Sequence, residues 1–132
     1  MLRKALILAA FAASPALAQD VVDGPGPNLV IEVAGVANGT VVIDMADHKA
    51  PKHVAQIVEL AKSGAYDGVV FHRVIDGFMA QTGDVSNGKA GGDLSMAGTG
   101  GSTLPDLPAE FSDLAFARGV VGMARAADPD SA

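Results

Sequence analysis

The sequence predicts a mainly β fold that contains one helix, and three observations support this prediction. Two runs rich in β-branched residues, 29–33 and 40–45, flank a turn at Asn38-Gly39. A second pair of short runs flanks Asp76-Gly77, the strongest short-range hairpin signal in the chain. Between the two pairs, over residues 51–63, apolar residues recur with the spacing of a helix instead.

The chain opens with a segment typical of a secretory signal peptide. Arg3 and Lys4 form a positive start, residues 5–13 are apolar, and Ala16-Leu17-Ala18 is a small-x-small cleavage site. We expect cleavage after Ala18, a periplasmic or secreted protein, and no membrane association after cleavage. The alternative is a buried N-terminal helix. Residues 19–27, with Asp, Gly and Pro, are expected to form a flexible mature N-terminus.

Composition excludes several classes of function. The chain has 132 residues, enough for one domain, with a net charge of −6. Without the two cations of the leader, 7 basic residues face 15 acidic ones, a balance of −8. Such an acidic protein has no electrostatic footprint for nucleic acid or anionic lipid. With no cysteine, disulfides and thiolate metal sites are excluded.

The helix over residues 51–63 is expected to bury one apolar stripe. That stripe consists of Val54, Ile57, Val58 and Ala61. Pro51 suits the first turn and Gly64 a left-handed cap, whereas no Ser, Thr, Asp or Asn precedes Pro51 as an N-cap. His48 and His53 do not share a helical face, so we expect no metal site and solvated surface histidines.

The central hairpin, residues 71–82, combines residue types that are unusual for a core. Alternation places Phe71, Arg73 and Ile75 on one face of its first strand. Phe71 is expected in the core and His72 in a structural role. The second strand supplies an aromatic ring, a thioether and an amide at Phe78, Met79 and Gln81. A cation beside an apolar pocket with one amide describes a binding site better than a core.

The remaining chain is expected to consist of loops and one further strand. Residues 86–105 are rich in Gly, Ser, Thr and Asp and predict a long loop without a phosphate-binding pattern. Residues 105–111 form a proline-stiffened connector. Residues 118–125 predict another strand, and residues 128–132 begin another loop.

Two blocks carry a resemblance to a known family. The run from Phe71 to Asp84 resembles the signature of cyclophilin-type peptidyl-prolyl cis-trans isomerases. The block Arg118–Arg125 resembles the family's later Arg-Gly-x-x-x-Met-Ala segment. The resemblance covers roughly residues 28–132. It implies a closed antiparallel β-barrel, with eight strands in the full domain, capped by helices; this chain would hold its N-terminal part with one helix.

The resemblance also implies a domain that is incomplete at its C-terminus. Family domains continue for several strands and a second helix. The further part includes a Ser-Gln-Phe-Phe-like segment that helps to floor the proline pocket. We therefore expect the domain over residues 28–132 to be a fragment of a longer protein, with a natural short form as the alternative.

The resemblance assigns roles to six residues. Arg73 would be catalytic, because a guanidinium can donate a hydrogen bond to the prolyl nitrogen of a twisted amide. Substrate-binding residues would be Phe78, Met79, Gln81, Ala124 and Arg125. The family often has asparagine where Arg125 stands, and an arginine there would favour acidic residues beside the proline. The alternatives are an ion pair of Arg73 with Asp84 or Glu110, and Phe78 and Met79 as plain core residues.

The expected function is isomerisation of X–Pro bonds during folding of exported proteins. Its partners would be unfolded or exposed proline-containing segments, and the resemblance adds cyclosporin-like ligands. No cofactor is required, because the reaction breaks no covalent bond, and we expect a monomer. The alternative function is a peptide-binding or chaperone module with a cyclophilin fold and little turnover, or an inactive fragment.

Overall fold

Five regular elements make up two hairpins and one helix. A computed structural model describes residues 23–132, so the predicted leader and residues 19–22 lie outside the described part. The elements are β1 (Asn28–Val33), β2 (Gly39–Asp44), α1 (Pro51–Lys62), β3 (Arg73–Ile75) and β4 (Met79–Gln81). The prediction of a mainly β chain with one helix is confirmed. Within residues 23–132 the two hairpins form separate two-stranded antiparallel sheets, and the closed barrel stays a prediction.

The first hairpin pairs β1 with β2 along their whole length, from Asn28 opposite Asp44 to Val33 opposite Gly39. Its loop depends on a side chain. Asn38 accepts the Gly35 N–H at 3.1 Å and donates to the Gly35 carbonyl at 3.2 Å. The positive φ angles of this loop belong to Gly35 and Gly39, at +139° and +156°, and not to Asn38. The asparagine therefore closes the loop by hydrogen bonding.

Helix α1 ends as predicted. Gly64 adopts φ +75°, and its N–H reaches the Ala61 carbonyl at 3.1 Å. The next amide, Ala65 N–H, reaches the Leu60 carbonyl at 3.0 Å. These two bonds form a Schellman cap, which satisfies carbonyls that the helix itself leaves unpaired.

The N-terminus of α1 is capped from a distant part of the chain. Ala50 stands at the N-cap without a side-chain bond. Instead, the Glu110 carboxylate accepts the N–H groups of Lys52 and His53 at 3.1 and 3.0 Å. Its charge also faces the positive end of the helix dipole. The weak local cap is thereby replaced by a residue 57 positions further along the chain.

The buried face of α1 differs from the predicted stripe. His53 and Leu60 are its buried residues, at 6% and 8% exposure, whereas the four predicted stripe residues are half-buried. The prediction of a solvated His53 is therefore wrong. Its Nδ1 lies 2.7 Å from a Glu110 carboxylate oxygen, and this partner makes burial of the imidazole favourable. His48 is exposed, as predicted.

Two further predictions are corrected. Residues 118–125 form no strand in the described chain, because extended backbone becomes a strand only beside a hydrogen-bonded neighbour. Phe71 is 38% exposed and does not belong to the core. The most buried apolar side chains are Met45 and Leu60, each 8% exposed.

The long loop and the connector are present as predicted. Residues 86–105 contain turns and one isolated bridge, between Val69 and Lys89, and residues 105–111 are irregular. Over residues 23–132, no helix is long and apolar enough to span a membrane.

Candidate functional site

The second hairpin places Arg73 opposite Gln81. The two residues are partners across the β3–β4 pair, and Ile75 is the partner of Met79. Cross-strand partners project from the same face, with Cα atoms about 4.5–5.5 Å apart. Alternation along each strand adds Ile75 and Met79 to that face. One face of the hairpin thus presents a cation, an amide and a thioether.

A tight turn joins the two strands. The Phe78 N–H donates to the Ile75 carbonyl at 3.0 Å, and Gly77 adopts φ +70°. A positive φ at the third position of a four-residue turn favours glycine. The hairpin predicted from Asp76-Gly77 is confirmed, with only the glycine in the left-handed region.

Arg73 is exposed, and within residues 23–132 its guanidinium forms no ion pair. The two carboxylates considered as its partners are engaged elsewhere. Asp84 binds backbone N–H groups of the following loop, and Glu110 caps α1. The alternative of a structural ion pair is therefore wrong, and the guanidinium faces solvent.

A groove of about 330 Å³ brings three of the six predicted site residues together. Gln81, Ala124 and Arg125 line it although more than 40 positions of chain separate the first from the other two. The remaining lining residues are Gly98, Thr99, Gly100, Ala126 and Ser131. One wall is thus the hairpin, the second the glycine-rich loop, and the third the segment after Met123.

The other predicted residues lie at the rim or apart. Arg73 and Met79 share the hairpin face with Gln81, and Met79 is half-buried. Phe78 follows the turn and is 76% exposed, so it belongs neither to the groove lining nor to a core. A second depression of about 370 Å³, beside Asn28 and Asp44, contains none of the predicted residues.

Asp84 fixes the loop wall, a role that the sequence analysis missed. This carboxylate is 3% exposed. One oxygen accepts the Asn87 N–H at 2.8 Å, and the other accepts Gly98 and Gly100 N–H groups at 2.7 and 3.0 Å. The signal was an Asp followed by Ser86-Asn87-Gly88, a sequence typical of side-chain-closed turns.

The hydrogen bonds to Asp84 stabilise its charged form. Burial by itself would raise the pKa of this carboxyl. The backbone N–H groups of Asn87, Gly100 and Gly98 outweigh burial, and together they hold the pKa below the ordinary value of 3.8. Asp84 is therefore ionised at neutral pH and acts as an anionic anchor for the loop.

The His72 ring packs against the same loop. Both ring nitrogens are buried and have no hydrogen-bond partner in the described part of the chain. A Cβ added to Gly98 would lie 2.8 Å from the ring's Cδ2, so the glycine backbone packs directly on the imidazole. This contact agrees with the structural role predicted for His72.

The third wall is held by Ser131. Its Oγ accepts the Ala126 N–H at 3.0 Å and donates to the Asp128 carbonyl at 2.7 Å. The adjacent chain is tied to the connector, because Ala109 N–H donates to Asp130 at 2.9 Å. These bonds position the backbone of residues 124–126 along the groove.

The arrangement suits binding of an extended peptide. Backbone groups of the loop and of residues 124–126 line the groove, and Gln81 adds a side chain that both donates and accepts. Arg73 adds a fixed positive charge on the same hairpin face. Isomerisation of a peptide bond needs a hydrogen-bond donor and a pocket, and it transfers no proton.

Comparison with known proteins gives the family. Residues 29–132 match the family described as cyclophilin type peptidyl-prolyl cis-trans isomerase/CLD. The chain is 50% identical over 133 residues to a probable peptidyl-prolyl cis-trans isomerase of Brucella suis biovar 1 (strain 1330), covering 99% of this chain and 67% of that protein. No solved structure matches the chain.

More distant relatives bear the same description. A peptidyl-prolyl cis-trans isomerase of Synechococcus elongatus is 40% identical over 67% of this chain and 54% of its own length. Peptidyl-prolyl cis-trans isomerase A of Dickeya dadantii is 37% identical over 71% of this chain and 45% of its own. The chain belongs to the cyclophilin-type peptidyl-prolyl cis-trans isomerase family. The predicted isomerase activity is confirmed at this level, with proline-containing peptides as substrates.

Proposed function

We propose that Arg73 is the catalytic group and that it donates a hydrogen bond to the prolyl nitrogen of the twisted peptide bond. Rotation about an X–Pro bond removes amide resonance and localises a lone pair on that nitrogen. A guanidinium stays protonated and is weakly hydrated, so it can meet this lone pair without a proton transfer. The observation that supports the proposal is the solvent-facing Arg73 paired across the hairpin with Gln81.

The size of the effect is sufficient for Arg73 to dominate. The barrier to uncatalysed rotation is about 18–20 kcal/mol. One well-placed donor in a preorganised site lowers a barrier by about 2.7–4 kcal/mol, or roughly 10²–10³ in rate. This gain arises only if the donor is aimed at the twisted form. Equal binding of the planar and twisted forms would leave the barrier between them unchanged.

The residues around Arg73 are assigned roles in orienting the guanidinium and in binding the substrate. Gln81 stands opposite Arg73 and lines the groove, so it orients the guanidinium or binds the substrate backbone. Met79 and the exposed ring of Phe78 supply apolar surface for the proline ring. Ala124 contributes its backbone along the groove, and Arg125 its charge.

Rate measurements on the 132-residue chain test the proposal. NMR exchange spectroscopy on a proline tetrapeptide gives the catalysed rate for the wild type, Arg73→Ala and Arg73→Lys. We expect Arg73→Ala to lose about 10²–10³ in rate. Arg73→Lys should recover only a small part, because an ammonium lacks the planar donor geometry. Arg118→Ala removes an exposed arginine outside the groove lining and is the matched control.

The alternative function predicts a different pattern. A peptide-holding module would show background rates in the wild type and in Arg73→Ala, with equal peptide affinities. That pattern would overturn the catalytic role of Arg73. Chemical-shift titration with the same tetrapeptide supplies the affinities.

We also propose that the protein is exported and acts on exported proteins. The support is the leader pattern, with Arg3 and Lys4 before an apolar run and Ala16-Leu17-Ala18 at its end. The test is expression of the chain in a bacterium, followed by cell fractionation and N-terminal sequencing. We expect a periplasmic product that begins at Gln19; a cytoplasmic product that retains Met1 would contradict export.

Cyclosporin binding and a monomeric state belong to the same proposal. Cyclosporin binding follows from the family's peptide groove, of which Gln81 and Ala124 form part here. Inhibition of the tetrapeptide rate by cyclosporin tests the first. Sedimentation of the folded chain over a range of concentrations tests the second.

A further inference from the structure

Arg125 is the one charged residue among those that line the groove in residues 23–132. The other lining residues are an amide, two hydroxyl residues and small or glycine residues. A ligand in the groove therefore meets a neutral, hydrogen-bonding surface with a single fixed charge on one wall. Among the lining residues, only this guanidinium can discriminate ligands by charge, because a guanidinium carries a fixed positive charge.

The Arg125 guanidinium is anchored on one side and open on the other. Its Nη1 donates to the Ala126 carbonyl at 2.9 Å and to the Ala127 carbonyl at 3.3 Å. These bonds hold the side chain against its own segment. A guanidinium has five N–H donors in a planar fork, so most of them are left for a ligand. The geometry matches that of a carboxylate, which accepts two parallel N–H bonds.

The carboxylates that follow Arg125 in the chain, Asp128 and Asp130, each accept a backbone N–H group and form no ion pair with the guanidinium. Asp128 accepts the Asp130 N–H at 2.9 Å, and Asp130 accepts the Ala109 N–H at 2.9 Å. Asp84 lies behind the loop wall, and its oxygens are filled by Asn87, Gly98 and Gly100. Within the described chain Arg125 forms no ion pair, so its charge is available to a bound peptide.

Gln81 connects the hairpin face of Arg73 to the groove wall that carries Arg125. Arg73 is the cross-strand partner of Gln81, and Gln81 shares the groove with Arg125. An extended peptide advances about 3.3 Å per residue. A peptide with its proline beside Arg73 that continues along the groove past Gln81 would therefore present a neighbouring side chain to the wall that carries Arg125.

We propose that Arg125 makes this isomerase selective for proline segments with an acidic residue close to the proline. The inference rests on the proposed function of Arg73, since it places the proline at the hairpin face. Exposed ion pairs contribute about 0.2–1 kcal/mol, so the preference for Glu over Gln should be about 1.4- to fivefold. Lysine at the same position should be disfavoured, although the net charge of −6 attracts cations in general.

The test compares peptides within each protein. Three sets place Glu, Gln or Lys two residues before, immediately before or immediately after one proline. Catalysed rates and affinities are measured by NMR for the wild type, Arg125→Lys, Arg125→Gln and Arg125→Glu. We expect a Glu/Gln ratio of about 1.4 to 5 in at least one set. That ratio should persist in Arg125→Lys, fall to one in Arg125→Gln and fall below one in Arg125→Glu.

The outcomes separate the two proposals. If the Gln peptides are isomerised well but every Glu/Gln ratio is close to one, charge selectivity is overturned and the proposed function stands. If the wild type gives only background rates with all peptides, the proposed function fails. In that case the affinity ratios still decide the selectivity of the groove. A Glu preference that persists in Arg125→Gln would show that another residue causes it, and would overturn the inference.

Discussion

The Asp84 carboxylate organises the glycine-rich wall of the groove from behind. Three backbone N–H groups converge on it, two of them from Gly98 and Gly100, which line the groove directly. A carboxylate suits this position because it is purely an acceptor and its charge strengthens each bond. Neutralising the group should loosen the loop without changing any residue that lines the groove.

Asp84→Asn is expected to destabilise the fold by about 1.5–3 kcal/mol, the range for hydrogen bonds to charged groups. An amide has one acceptor oxygen, so its NH₂ must face at least one of the three N–H donors. The change in the urea unfolding midpoint measures this loss. The control is Asp93→Asn, an exposed carboxylate in the same loop that accepts one bond from Ser95 N–H at 2.9 Å. Equal losses in the two variants would contradict a central role for Asp84.

Neighbouring glycines offer a matched pair on the same wall. A Cβ on Gly100 would lie 2.7 Å from an Asp84 oxygen and 2.8 Å from the Asn87 amide nitrogen, whereas a Cβ on Gly101 meets nothing within 4 Å. We expect Gly100→Ala to cost about 1–3 kcal/mol by overpacking and to lower the tetrapeptide rate. Gly101→Ala should leave both quantities nearly unchanged. Similar unfolding midpoints for the two variants would show that the wall is not packed at Gly100.

At the scale of elements, the Glu110 carboxylate joins the connector to helix α1. It binds two amides of the first helical turn and the His53 ring. Burial by itself would raise the pKa of Glu110, but the bonds from the His53 ring and from the His53 and Lys52 amides outweigh burial. Its pKa therefore lies below the ordinary value of 4.5. The nearby pair of Lys49 and Asp113, 2.6 Å apart, is more exposed.

Glu110→Gln should weaken the start of α1. The variant keeps one acceptor oxygen but removes the charge that faces the helix N-terminus. Hydrogen exchange at the Lys52 and His53 amides should become faster, while exchange near the Gly64 cap changes little. Asp113→Asn is the control, since its side chain is 82% exposed and exposed ion pairs contribute little. Unchanged exchange at both amides would argue against capping by Glu110.

The elements that local sequence encodes were predictable. Gly64 ends α1 and Gly77 turns the second hairpin, because in each case a positive φ is required next to a recognisable pattern. The predicted Gln81, Ala124 and Arg125 also meet in one groove. The burial of His53 was not predictable, because it depends on Glu110, which lies 57 positions away. A strand over residues 118–125 fails for the same reason, since a strand is defined by a neighbour.

The role of Asp84 was only partly predictable from the sequence. Its bond to Asn87 spans three positions and belongs to a local turn, which composition indicates. Its bonds to Gly98 and Gly100 span 14 and 16 positions, and no spacing rule connects them. The sequence could therefore indicate the loop and the local turn at Asn87. The bonds from Gly98 and Gly100 to Asp84, which shape the groove wall, are seen only in the structure.

At the scale of the whole molecule, two carboxylates hold segments that few buried apolar side chains hold over residues 23–132. Met45 and Leu60 are the most buried apolar side chains, and large apolar residues such as Val74, Phe78 and Phe116 are exposed. The contacts that fix the loop and the connector are instead made by Asp84 and Glu110. Both are carboxylates whose pKa values are lowered in the folded chain. We therefore expect the free energy of unfolding to decrease at acidic pH.

The sign of this dependence follows from the two pKa directions. An unfolded chain protonates these carboxyls near their ordinary values of 3.8 and 4.5, whereas the folded chain does so at lower pH. Their stabilisation is thus complete above these values and is lost as pH falls through them toward the folded-state pKa. We expect the urea midpoint to be level near neutrality and to fall below about pH 5.

The double variant Asp84→Asn/Glu110→Gln isolates the two carboxyls. It should start from a lower urea midpoint at neutral pH, because both anchors are weakened, and should lose less of it on acidification. An equally steep decline in the variant would assign the acid sensitivity to other carboxyls. Asp113 and Asp93 are the next candidates, because the Lys49 side chain and the Ser95 backbone N–H, respectively, lower their pKa values. A shallower decline would show that protonation of Asp84, behind the groove wall, and of Glu110, at the helix cap, accounts for much of the loss of stability in acid.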